Sequence, residues 1–348
     1  MDSQTPRRLL VRLPNWVGDV VMATPALRAL RGAWPSCRLT VMLRASLVPL
    51  LADSVLVDDV LPIGPRDERL PLGAPRIARR LAREGFDMAI LLTNSFTSAL
   101  PPFLARIPRR VGYSGEFRRA LLTHWREPLR DGGERRPIPM PVYYQHVLDL
   151  VDVPSLGDAF ELPRTPEDEA HARRVLEEIG WDGRTPLVAL NPGASFGSSK
   201  LWRSERLAAV GDELWKRLGL QPLVLCGPGE ESLAREVAAA MRAPVLDTSR
   251  RVVDLRRLRG LLRLATLLVT MDTGPRHIAT AMGTPSVVLM GPTNPAWTAC
   301  HLDLCRVVRH PVPCGPCHQP VCPTDHACME ALSVEEVVGA AEDLLRSV

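Results

Sequence analysis

The residues best placed to do chemistry run Asp272-Thr273-Gly274-Pro275-Arg276-His277. The apolar run Leu267-Leu268-Val269-Thr270 precedes them and Ile278-Ala279-Thr280-Ala281-Met282 follows, so the stretch reads as strand, tight turn and helix. Asp272 or Thr273 can cap the helix, and Pro275 suits a first turn in which its missing N–H is not needed. The open N–H groups of such a helix start, helped by the helix dipole, attract an anion, and a phosphate is the natural guest. An ordinary capped helix without a ligand fits the same letters equally well.

Other stretches offer partners for a phosphorylated ligand. Asn191-Pro192-Gly193-Ala194-Ser195 ends an apolar run, and Gly193 lets a ligand approach the backbone closely. Ser198-Ser199-Lys200-Leu201-Trp202 follows. A lysine in a loop opposite a helix start completes a clamp on a diphosphate, although a solvated surface lysine would look the same. Lys200 stands out because the chain has only one other lysine, Lys216, and is otherwise supplied with arginine. Gly227-Pro228-Gly229-Glu230-Glu231 ends a further apolar run, where Glu230 suits ribose hydroxyls or the cap of the next helix. Asp19 follows Gly18 at a strand-to-helix switch, a position for a general base or for a plain cap.

Two segments carry different chemistry. Residues 105–136 hold nine arginines and four acids, including Arg109-Arg110, Arg118-Arg119 and Arg135-Arg136. They read as a surface for an anionic second substrate or as a solvated basic face. RNA binding finds no recognisable module here, and a net charge of +4 is too small to argue for nucleic acid as a partner. Cys314-x2-Cys317-x4-Cys322-x5-Cys328, interleaved with His318 and His326, permits a structural zinc or an iron–sulfur cluster, with free thiols as the main alternative. It lies past the last expected strand, so a metal there would not be catalytic.

These residues need a scaffold. Strands are expected over 9–13, 39–43 and 88–92, with a helix over 19–31. The pattern restarts with strands over 187–190, 223–226, 267–270 and 286–290, and helices over 204–218, 230–242, 256–265 and 333–345. Uniformly apolar strands suit a parallel sheet covered on both faces. Two consecutive β/α series predict an α/β protein of two doubly wound domains, 1–163 and 164–348, joined at Leu162-Pro163-Arg164-Thr165-Pro166. A chain of 348 residues, 46% hydrophobic and 24% charged, can fill two cores. The opening residues resemble no secretory signal, and no apolar run is long enough to span a bilayer. The expected compartment is the cytosol, where eight cysteines argue against a disulfide framework.

Taken together, the motifs resemble those of the lipopolysaccharide heptosyltransferases, inverting glycosyltransferases of family 9 with the GT-B fold. The resemblance rests on Asn15-Trp16-Val17-Gly18-Asp19, Asn94-Ser95-Phe96-x-Ser98-Ala99 and Ile107-Pro108-x-Arg110-Val111-Gly112-Tyr113. It continues through Asn191-Pro192-Gly193-Ala194, Lys200-x-Trp202, Asp272-Thr273-Gly274-x-x-His277 and Gly291-Pro292-Thr293. The Trp-Val-Gly-Asp and Asn-Ser-Phe forms look most like members that add the second inner-core heptose. The resemblance implies two Rossmann-like domains with a cleft between them, an acceptor domain first and a donor domain second. It implies ADP-heptose as donor, and as acceptor the heptose- and Kdo-bearing core of lipid A, reached by peripheral contact with the cytoplasmic face of the inner membrane. Asp19 matches the catalytic aspartate, and Lys200 the lysine on the donor diphosphate. Asn191, Gly193, Glu230, Asp272, Thr273, Gly274 and His277 fall to the donor, and Asn94, Ser95, Arg110, Arg118 and Arg119 to the acceptor. No cofactor is implied for catalysis. Rival readings are another nucleotide sugar or acceptor, a nucleotide-sugar epimerase on the same fold, or a non-enzymatic Arg-rich RNA-binding module.

Overall fold

The computed structural model describes residues 5–67, 73–251 and 253–348. The first four residues of the opening stretch therefore lie outside the description. The chain divides into two compact units, Met1–Pro163 with Ala296–Thr298, and Arg164–Pro295 with Ala299–Val348.

In the first unit, β1 (Arg8–Arg12), β2 (Arg38–Arg44), β3 (Asp59–Ile63), β4 (Met88–Leu91), β5 (Arg109–Tyr113) and β6 (His124–Arg126) form a six-stranded sheet. Its order is β3-β2-β1-β4-β5-β6, and every pairing is parallel. Leu9, Leu10 and Val11 of β1 and all of β4 are buried, as expected of inner strands covered by helices on both faces. A short antiparallel hairpin pairs β7 (Arg130–Asp131) with β8 (Glu134–Arg135). The helices are α1 (Val17–Met22), α2 (Thr24–Ala33), α3 (Gly73–Glu84), α4 (Phe96–Leu104) and α5 (Met140–Leu148). The single helix expected over 19–31 is thus two. Pro25 has no N–H to return to the Val21 carbonyl four residues earlier, so the helix breaks at Ala23. Thr24 Oγ1 donates to that carbonyl instead, at 2.7 Å.

The second unit repeats the winding. Strands β9 (Leu187–Asn191), β10 (Gln221–Val224), β11 (Leu246–Asp247), β12 (Leu267–Met271), β13 (Ser286–Leu289) and β14 (Cys305–Val308) form a parallel sheet in the order β11-β10-β9-β12-β13-β14. Around it lie α6 (Pro166–Glu178), α7 (Ser204–Leu218), α8 (Glu231–Ala240), α9 (Leu255–Leu264), α10 (Gly274–Met282), α11 (Ala327–Glu330) and α12 (Val334–Ser347). Side chains of β9, β12 and β13 pack with α7, α8 and α12 in one core, to which Leu190, Val269, Val287, Leu214, Val237 and Val338 belong. Each such buried aliphatic contributes about 1.5–3 kcal/mol. Ser333 and Glu336 close a capping box that starts α12. Asp168 of α6 holds Arg256 at 2.7 Å and Arg259 at 2.6 Å, which ties α6 to α9. Among the described residues no helix is long and apolar enough to cross a membrane.

Candidate active site

In an open parallel sheet, ligands bind beyond the carboxyl ends of the strands where the strand order reverses. In the second unit the reversal lies between β9 and β12, paired with Thr270 opposite Asn191. After β12 the chain turns through Asp272 and Thr273 into α10. Thr273 is the N-cap residue in extended conformation, but its side chain makes no capping bond. Its hydroxyl instead accepts from Asn191 Nδ2 at 3.4 Å and donates to the Met271 carbonyl at 3.3 Å. The Thr273 and Gly274 amides have no hydrogen-bond partner among the described residues. Two donors at a helix start are thereby left for an anion.

Beside them is a buried charge cluster. Asp272, only 8% exposed, accepts from Lys200 Nζ at 2.9 Å and from Thr293 Oγ1 at 2.7 Å through Oδ2. Its Oδ1 accepts from Arg276 Nη1 at 3.0 Å. Burial pushes the Asp272 carboxyl up, but the charges of Lys200 and Arg276 outweigh it and hold the group well below the usual carboxylate range. Lys200 Nζ also donates to the Asp272 main-chain carbonyl. Two of its three N–H groups are therefore engaged and one is left over. One carboxylate against two cations leaves the cluster positive. His277 is buried on α10, where desolvation and the adjacent Arg276 push its imidazole down to about 3. It is a neutral ring inside the protein.

The other candidates of this unit take different places. Asn191 is buried, and its Nδ2 donates to Gly193 O at 3.2 Å and Thr270 Oγ1 at 3.1 Å, which laces the ends of β9 and β12 together. Its amide nitrogen thus serves the framework. Gly193 faces Glu230: a Cβ at 193 would lie 1.9 Å from Glu230 Oε1. Only glycine admits the carboxylate there. Glu230 Oε2 accepts from the Gly227 amide at 3.1 Å, and burial raises its pKa. Trp202, readable from sequence as core or lid, is core.

In the first unit the reversal lies between β1 and β4. Asp19 sits in the first turn of α1, whose N-cap is Trp16, so Asp19 is not the cap. Its Oδ1 accepts from the Tyr144 hydroxyl at 3.2 Å. Burial, and then the charge of Asp19, push Tyr144 well above the ordinary phenol range, so it stays a donor. After β4, Asn94 Oδ1 accepts from Tyr143 Oη at 3.1 Å, and Ser95 caps α4 through the Ser98 amide. Tyr143 stacks on Tyr113 with ring centroids 4.0 Å apart. The chain has three tyrosines, and all three gather here. That rarity is the one hint of Tyr144 in the sequence.

One sequence expectation needs correction. Arg118 is fully buried, its guanidinium donating to the Tyr113, Thr93 and Ser95 carbonyls and to Ser98 Oγ. It braces the turn that carries Asn94 and Ser95 and cannot touch an acceptor. Arg110 is half-buried and donates to the Leu121 and Ile107 carbonyls, so of the three expected arginines only Arg119 is exposed, 3.8 Å over the Trp125 ring. From its sequence, the four-cysteine segment is expected to hold a structural metal or to carry free thiols. All eight cysteines are free thiols, and among the described residues no group of three or more His, Cys, Asp or Glu side chains is arranged to hold a metal ion. Cys328 is buried beside Gly291 and Cys314 is exposed, yet Cys314, Cys322 and Cys317 lie near enough that their charges, after burial, help to push the Cys328 thiol up.

Two six-stranded parallel sheets wound in the same order, with candidate groups at each reversal, match the GT-B glycosyltransferases. Residues 75–328 match the model of glycosyltransferase family 9 (heptosyltransferase), and the chain belongs to that family. Lipopolysaccharide heptosyltransferase 2 of Salmonella typhimurium is 28% identical over 309 residues, 87% of this chain and 88% of its own. Lipooligosaccharide heptosyltransferase 2 of Haemophilus ducreyi is 31% identical over 307 residues, 84% of this chain and 85% of its own. The solved structure of E. coli ADP-heptose lps heptosyltransferase II, 24% identical, has a TM-score of 0.78, covering 97% of this chain and 98% of that one.

Proposed function

We propose that this enzyme transfers a heptose from ADP-heptose to the heptose- and Kdo-bearing inner core of lipopolysaccharide, with inversion, and that it adds the second heptose. The observation that carries the reading is the positive Lys200–Asp272–Arg276 cluster beside the unbonded Thr273 and Gly274 amides. The names of the Salmonella and Haemophilus relatives support the order of addition.

The chemistry follows from these groups. Asp19 takes the proton of an acceptor hydroxyl as that oxygen attacks the anomeric carbon. The bond from that carbon to the β-phosphate oxygen breaks on the opposite face, and its electron pair leaves with ADP. The transition state has oxocarbenium character, and negative charge grows on the diphosphate. The spare Lys200 N–H and the two amides are donors already in place for that charge. Glu230, beside Gly193, is the acceptor for ribose hydroxyls. Tyr144 orients the Asp19 carboxylate. The lipid acceptor brings the enzyme to the cytoplasmic face of the inner membrane, where exposed arginines meet anionic headgroups.

Asp19→Asn tests the base. The amide can still accept from Tyr144 but cannot take a proton. Turnover should fall by about 10²- to 10⁴-fold, while ADP affinity by calorimetry stays within a factor of two. A variant that turns over at the wild-type rate would remove Asp19 from the mechanism.

A further inference from the structure

The turn that presents Lys200 lies in the connection between β9 and α7, and it is fastened by the cysteine-bearing segment. Ser199 N donates to Pro320 O at 3.1 Å, and Ser199 Oγ donates to Gln319 O at 2.5 Å. His326 Nε2 lies 2.6 Å from Ser199 O. A carbonyl only accepts, so Nε2 carries the proton. Gly197 lies so close that a Cβ there would be 2.1 Å from Pro320 O, and its φ of +150° also favours glycine. Just beyond Lys200, Arg203 and Arg206 pair with Glu330 at 2.6 and 3.0 Å. The turn is therefore held from both sides by residues 319–330.

We infer that the 314–330 segment is a clasp that positions Lys200 for the donor, with His326 as its principal positioning residue. The inference rests on the donor role given to Lys200 above. The physical case is one of preorganisation. Lys200 has a long, flexible side chain, and its ammonium reaches Asp272 from a turn that has no sheet or α-helix of its own to stiffen it. Three hydrogen bonds from one segment to a single residue, Ser199, fix the adjacent Cα of Lys200. Cys317, Cys322 and Cys328 each stand two positions from Gln319, Pro320 or His326. The segment that the sequence marks by its thiols thus acts on Ser199 through the Gln319 and Pro320 carbonyls and the His326 ring.

The test is a double-mutant cycle on the full-length protein, with ADP as the probe. His326→Ala should weaken ADP binding about fivefold, the effect of one lost hydrogen bond, and should raise the KM for ADP-heptose and lower kcat, because the charge that Lys200 meets grows in the transition state. His326→Gln places an amide N–H near the same point and should restore most of the affinity. In a Lys200→Met background, His326→Ala should change ADP affinity by less than twofold, because the residue it positions is gone. Glu330→Gln, which loosens the other side, should behave like His326→Ala if that variant fails to fold. Unchanged ADP affinity in Lys200→Met would overturn the donor reading, and the purpose of the clasp with it. A clear Lys200→Met defect with intact affinity in His326→Ala, or with additive losses, would overturn the clasp alone. Failure of His326→Gln to recover affinity, with normal folding, would also count against it.

Discussion

Replacing Lys200 with Met keeps the aliphatic stem and removes the ammonium. In the native protein that ammonium gives two N–H groups to Asp272 and has one left for a ligand. A hydrogen bond to a charged group is worth about 1.5–3 kcal/mol. At about 1.4 kcal/mol per tenfold, ADP should bind roughly 10- to 150-fold more weakly. The local charge drops as well, because one carboxylate then faces one cation. Stability should fall more gently. Asp272 keeps Arg276 at 3.0 Å and the Thr293 hydroxyl at 2.7 Å, so the change stays below the roughly 3–5 kcal/mol of an orphaned buried charge. A loss of about 2 kcal/mol corresponds to a Tm lower by roughly 4–8 °C for a unit of this size. Titration calorimetry with ADP and differential scanning calorimetry measure the two effects separately. ADP affinity within twofold of wild type, in a folded variant, would refute the argument that this ammonium is a phosphate ligand.

Other expectations follow from the same geometry. Tyr144→Phe removes a hydroxyl that donates to Asp19 Oδ1, so the acid limb of the kcat profile should move to higher pH. An unmoved limb would mean that the bond does not tune the base. His277 has a folded pKa of about 3 against an ordinary 6.5, so between those values the unfolded chain binds the extra proton. Stability should therefore fall as pH drops from about 6.5 toward 3, by at most about 1.4 kcal/mol per pH unit from this residue. Urea unfolding of wild type and His277→Gln at pH 7 and pH 5 should show a shallower pH dependence in the variant. Equal slopes would place the titration elsewhere.

How far the sequence could be read depends on what each residue's neighbours are. β1, β4, β9 and β12 were legible because inner parallel strands are apolar on both faces. The edge strands β3, with Asp59 and Pro62, and β6, His-Trp-Arg, look like loops in a single sequence, and so does β5 between β4 and β6, because it opens with Arg109-Arg110. β11 has two residues, too few to leave a period. The Asp272 turn and Lys200 were each visible as motifs, but their pairing spans 72 residues and no spacing rule reports it. Arg118 misled for a related reason. A run of arginines looks solvated, and nothing local tells that one of them turns inward to collect four oxygen acceptors. Tyr144 lies 125 residues from the aspartate it contacts and was invisible except as one of three tyrosines. The four cysteines that the spacing brings near do act on one another, since Cys314, Cys317 and Cys322 push the Cys328 thiol up, but among the described residues they form no group arranged to hold a metal ion. Glu230 went the other way. Its register was open in the sequence, and the close approach to Gly193 gives it a definite place beside the donor-site candidates.

The most direct test of the central claim is a transfer assay. Purified protein would be incubated with ADP-heptose and truncated core lipopolysaccharides carrying no, one or two heptoses, and the products weighed by mass spectrometry. The account predicts a gain of one heptose on the one-heptose acceptor alone. A gain only on the acceptor without heptose would contradict the assigned order of addition. No gain on any acceptor, with ADP still bound, would contradict the assigned sugar or acceptor.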